Sequence, residues 1–140
     1  MLCIKEIKQI LREAREACLK YIRLRDKARS YERRLMDGRA VNYKTDGGTR
    51  ERNDNSMELS LCVAADYQAE ADKAKRNFRE PYIKARGIIY LAKDDVLCEV
   101  LKQYYLKGLS WEKVVKTLGY SERHVRRLHD KALREISKNT

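Results

Sequence analysis

Residues 109–136 read LSWEKVVKTLGYSERHVRRLHDKALREI. Apolar side chains recur at helical spacing on both sides of Gly119: Val114, Val115 and Leu118 before it, and Val125, Leu128, Ala132, Leu133 and Ile136 after it. Glycine tolerates the left-handed backbone that turns a chain sharply between two helices. Ser110 and Ser121 stand where N-caps are needed, and Glu112 and Glu122 follow in the favourable first turns. Neither serine completes a capping box, because Lys113 and His124 lie three residues on. Trp111 and Tyr120 are placed to cover the edges. The stretch therefore predicts two helices joined by a tight turn, a helix-turn-helix. With the apolar residues turned inward, Glu122, Arg123, Arg126 and Arg127 face outward near the start of the second helix.

Upstream, Asp94 or Asp95 offers an N-cap for a helix over DVLCEVLKQYYLK, with Leu97, Val100, Leu101, Tyr104 and Tyr105 on its buried side and Gly108 ending it. Pro81 either opens a helix at its first position or kinks a longer one, and Tyr82, Ala85, Ile88 and Ile89 keep helical spacing beyond it. Before it, Met57, Leu61, Ala64, Tyr67, Ala71, Ala74 and Phe78 form an apolar stripe rich in alanine, suited to close helix approach. A first stripe runs Ile4, Ile7, Leu11, Ala14, Cys18, Tyr21, then less regularly Leu24, Ala28, Tyr31 and Leu35, with Arg25 and Glu32 in the strict heptad slots. Such a helix, ending near Met36, would be on the order of 50 Å long. So narrow a stripe needs a partner helix, from the same chain or from a second one. Between the stripes, DGRAVNYKTDGGTRERNDN at 37–55 loses all periodicity and is expected to be a flexible tether.

The expectation is an all-α chain: a coiled-coil-like helical hairpin at 1–93, with a loop at 37–55, followed by a helix-turn-helix domain at 94–140. Thirty-two Lys and Arg against 21 Asp and Glu give the 140 residues a formal charge of +11. Residues 1–36 hold +6 of it, 56–93 hold +2 and 121–140 hold +3, while 37–55 and 94–120 are neutral. This balance makes nucleic acid the first partner to consider, and the first helix either adds phosphate contacts or is a coiled-coil flank solvated by mixed charge. Cys3, Cys18, Cys62 and Cys98 are too widely spaced for a metal or redox pair and read as small buried residues of a reduced, cytoplasmic protein. His124 and His129 are five apart and do not share a helical face, so no metal is expected. The charged N-terminus reads as neither signal peptide nor membrane span. With no nucleophile–base set, phosphate loop or paired carboxylates, neither an enzyme nor a cofactor is expected.

Arginine on an exposed helix face can hydrogen-bond bidentately to guanine O6 and N7 or clamp a phosphate. Lys131 and Arg134, farther along, suit backbone phosphates. The expected DNA-contacting set is Ser121, Glu122, Arg123, His124, Arg126, Arg127, Lys131 and Arg134. SERHVRRLHDKALREI resembles the recognition helix of region four of bacterial primary sigma factors, and LKGLSWEKVVKTLGY resembles the helix and turn before it. The shared features are Ser121, Val125, Arg126, Leu128, Lys131, Ala132, Leu133, Arg134 and Ile136, with Gly119 at the turn. The resemblance implies that residues just after the cap read an upstream promoter element. The chain departs from the pattern at Val115, Glu122, Arg123 and Arg127, and it lacks the aromatic-rich promoter-melting region of that family.

The whole arrangement resembles the small phage-encoded transcription regulators of the ArpU and RinA type; over residues 1–93 that likeness is architectural. It implies a sequence-specific, duplex-DNA-binding regulator of phage or prophage genes. Its expected partners are double-stranded DNA, RNA polymerase and a second copy in a dimer, with no membrane. Two other readings fit the same residues: a DNA-packaging assembly protein like a small terminase subunit, and an interaction module that grips RNA polymerase.

Overall fold

The computed structural model describes the backbone of residues 2–42 and 50–140 and the side chains of 2–36 and 58–140. Among the described residues five α-helices follow in order: α1 (Ile4–Asn42), α2 (Arg50–Tyr90), α3 (Asp95–Leu101), α4 (Trp111–Leu118) and α5 (Glu122–Asn139). Between α3 and α4 a π-helical turn occupies Lys102–Leu106. There is no β-strand among the described residues, so the chain is all-α, with two long helices preceding a helix-turn-helix.

Two expectations change, at 37–55 and at 102–106, and one left open at Pro81 is decided. The tether expected at 37–55 is helical at 37–42 and 50–55, and its centre lies outside the described residues. Extending an existing helix adds one hydrogen bond per residue fixed, so a glycine such as Gly38 costs only about 1 kcal/mol and does not end it. Of the two readings open at Pro81, the longer helix is the one present: the residue lies inside α2. The helix expected over 95–107 passes into the π-turn at Lys102, where the Lys107 N–H reaches the Lys102 carbonyl at 3.0 Å. The added residue in that turn rotates the chain, so Gln103 and Leu106 are buried beside Tyr105.

The chain divides into two compact units. The first joins Met1–Leu19 to Asn77–Thr140, so it takes in residues on both sides of position 93. Its core gathers Ile7, Leu11 and Ala14 of α1 with Ala85 and Ile89 of α2, Leu97 and Leu101 of α3, Tyr105, and Ala132, Leu133 and Ile136 of α5. Hydrogen bonds between side chains and backbone join its ends: the Leu2 N–H donates to Thr140 Oγ1 at 3.2 Å, and Asn139 Nδ2 donates to the Leu91 carbonyl at 2.7 Å. Asp94 is the N-cap of α3, accepting from the Val96 N–H at 2.9 Å.

The second unit, Lys20–Arg76, pairs the later part of α1 with the earlier part of α2 inside one chain. Tyr31 stacks on Tyr67 with ring centroids 5.1 Å apart, and Ala28, Ala64, Ala71 and Ala74 are buried. Leu61, expected on the apolar stripe, is 50% exposed. Cys18 and Cys98 are buried as read, whereas Cys3 and Cys62 are exposed. None of the described helices is long and apolar enough to cross a membrane.

Candidate nucleic-acid interface

Helix α5 owes its position to groups within a few residues of its start. Gly119 adopts φ 73°, ψ 19° and donates its N–H to the Val115 carbonyl at 2.9 Å, which ends α4. Ser110 and Ser121 cap α4 and α5, accepting from the backbone N–H groups of Lys113 at 3.4 Å and His124 at 3.2 Å. Val114, Val125 and Val100 close a small core between α3, α4 and α5, with Val115, Leu118 and Leu128 packed around it. The inner face of α5, Val125, Ala132, Leu133 and Ile136, is buried.

The opposite face carries the expected set. Ser121, Glu122, Arg123, His124, Arg126, Arg127, Lys131 and Arg134 are all exposed. The Ser121 hydroxyl is occupied in capping, and His124 sits edge-on to Tyr120 at 5.0 Å. Arg126 is drawn toward the helix N-terminus by Glu122, Nη2 to Oε1 2.9 Å, with both side chains more than 60% exposed. A surface i,i+4 pair contributes only about 0.3–0.5 kcal/mol, so it orients Arg126 without holding it from another acceptor. Arg123, Arg127, Lys131 and Arg134 form no ion pair among the described residues. The face is cationic, with one carboxylate at its leading end.

Within the same compact unit lies a set of side chains whose contacts periodicity does not show. The Arg15 guanidinium lies 3.9 Å from the Tyr104 ring centroid and donates to the carbonyls of Tyr104 and Leu109. Tyr104 in turn stacks on Trp111, centroids 3.9 Å apart and planes 13° from parallel. On the other side of the turn, Tyr105 Oη meets His129 Nε2 at 2.7 Å. Burial holds His129 below its ordinary pKa and pushes Tyr105 up to about 12. Both are therefore neutral near pH 7, and the consistent arrangement has the Tyr105 hydroxyl donating to Nε2. His129 Nδ1 is then left to carry the hydrogen toward Asp130 Oδ1 at 3.4 Å. Cys18 Sγ donates to the Leu106 carbonyl at 3.2 Å. These contacts satisfy carbonyls of the π-turn and the segment after it. Tyr104 and Tyr105 fall on the side the sequence predicts to be buried; Arg15 lies off the heptad stripe, and nothing local in the sequence marks it.

No group of three or more His, Cys, Asp or Glu among the described residues could hold a metal ion. Residues 98–138 match the family model for sigma-70 region 4. The matched span begins within α3 and takes in the turn, α4 and nearly all of α5, leaving out α1 and α2. No curated protein and no solved structure matches the chain. The C-terminal part is thus a sigma-70 region-four-like helix-turn-helix, a DNA-binding type of domain.

Proposed function

We propose that this protein is a sequence-specific, duplex-DNA-binding transcription regulator of phage or prophage genes, which reads the major groove with α5. The observation that carries the reading is the exposed row of Arg123, Arg126 and Arg127 behind Glu122, on a capped helix whose inner face is locked into the matched domain. In a groove the arginines meet guanine edges, each bidentate contact discriminating by about 1–3 kcal/mol. Glu122 accepts from a cytosine amino group, or releases Arg126 to a base as the protein docks. Lys131 and Arg134, later on the same face, neutralise phosphates and fix the register.

One short recognition helix spans few base pairs, so a dimer on two half-sites is the assembly that gives useful specificity. The long helices α1 and α2 serve that assembly or contact with RNA polymerase. The protein does no catalysis in this reading and needs no cofactor. Selection of bound duplexes from a random pool tests it: a recovered motif with two-fold symmetry is expected. Recovery of unrelated sequences, or no binding even at low salt, would overturn the reading. A ring of eight or more subunits in solution would instead indicate a packaging protein.

A further inference from the structure

Tyr82, Arg86 and Tyr90 follow one another at intervals of four along α2 and therefore share one face of it. Opposite them stand Lys102, Leu106 and Lys107, at the π-turn whose i to i+5 closure brings Lys107 over Lys102. Together the six line an open surface pocket of about 210 Å³ in the first compact unit, with Arg86, Tyr90 and Lys107 exposed. Arg86 donates to Tyr90 Oη at 3.3 Å, and Lys102 Nζ lies 4.8 Å from the Tyr90 ring centroid. Arg86, Lys102 and Lys107 have no carboxylate partner among the described residues. Leu106, only 8% exposed, supplies an apolar wall.

Three cations lining one open pocket with no carboxylate among them make a local positive potential that attracts an anion. A guanidinium fork, two ammonium groups and phenol hydroxyls line it as donors, and no side-chain carboxylate lines the space to turn an anion away. The volume is below that of sites for drug-sized ligands, so it suits one oxyanion group rather than a whole nucleotide. We propose that this pocket binds a phosphate-class oxyanion. It contains no residue of α4 or α5 and is separate from the recognition face. The anion is either a free phosphoanion or a phosphate of the bound DNA strand. In both cases it ties α2 to the turn that precedes the helix-turn-helix.

The test uses the full chain and Arg86→Gln, Lys102→Gln and, as a charge-matched control on exposed α4, Lys116→Gln, each checked for helicity. One arm titrates inorganic pyrophosphate at constant ionic strength by calorimetry and follows the thermal midpoint. The other measures duplex DNA affinity over a salt series. If the anion is free, pyrophosphate binds and raises the midpoint, and R86Q and K102Q weaken that binding by about tenfold or more while K116Q does not. If it belongs to the DNA strand, pyrophosphate has no effect, and R86Q lowers the slope of log affinity against log salt by about one while K116Q leaves it alone. No response in either arm, or equal responses in R86Q and K116Q, overturns the proposal. Failure of all duplex binding would sink the regulator reading but leave the pyrophosphate arm intact.

Discussion

Gly119 carries the turn through its backbone alone. A Cβ added there meets nothing within 4 Å, so the whole penalty of Gly119→Ala is the left-handed φ of 73°. The variant should lose about 1–2 kcal/mol in urea unfolding; an unchanged midpoint would mean that the turn relaxes into another conformation. His129 makes a second prediction at this scale. Its pKa in the folded protein lies below the ordinary 6.5 because burial disfavours the imidazolium. As pH falls through 6.5 the unfolded chain takes up a proton that the native chain refuses, so stability drops on the acid side. The urea midpoint should fall between about pH 7.5 and 5.5, and His129→Gln should remove part of that fall. Gly119 and the capping serines were legible in sequence because their partners lie within four residues. The neutrality of His129 was not, since it comes from burial, which only the packing of elements distant in sequence produces.

At the scale of elements, apolar spacing marked each of the described helices, though not the extensions at 37–42 and 50–55 or the continuity through Pro81, and it could not announce the π-turn. A π-turn is one residue inserted into a helix, and the run Leu97, Val100, Leu101, Tyr104, Tyr105 fits an uninterrupted helix nearly as well. Nor could it mark Arg15, whose acceptors are 89 and 94 positions away. Arg15 fastens the first turns of α1 to the end of the π-turn through two carbonyls and the Tyr104–Trp111 stack. Lysine keeps the charge but neither the planar fork nor the stacking surface. Arg15→Lys should therefore cost about 1–2 kcal/mol of unfolding free energy. A loss within a few tenths would show that the contact is dispensable. Pro81 is the converse case: a residue that usually marks a boundary sits within a helix of 41 residues.

For the whole molecule, the uneven charge reaches beyond the recognition helix. Residues 1–36 carry +6 of the +11, and on the second unit Lys20, Arg23, Lys27, Arg29, Arg33 and Arg34 are exposed. Duplex affinity should fall steeply with salt if those residues neutralise phosphates as well. Base preference, by contrast, should belong to α5 alone. The most direct measurement is fluorescence anisotropy of the protein and of Arg126→Ala/Arg127→Ala on a selected duplex and on a scrambled one, at fixed salt. The double variant should lose at least about tenfold of the preference for the selected duplex while still binding both weakly. If it keeps both the affinity and the preference, α5 is not the helix that reads the DNA.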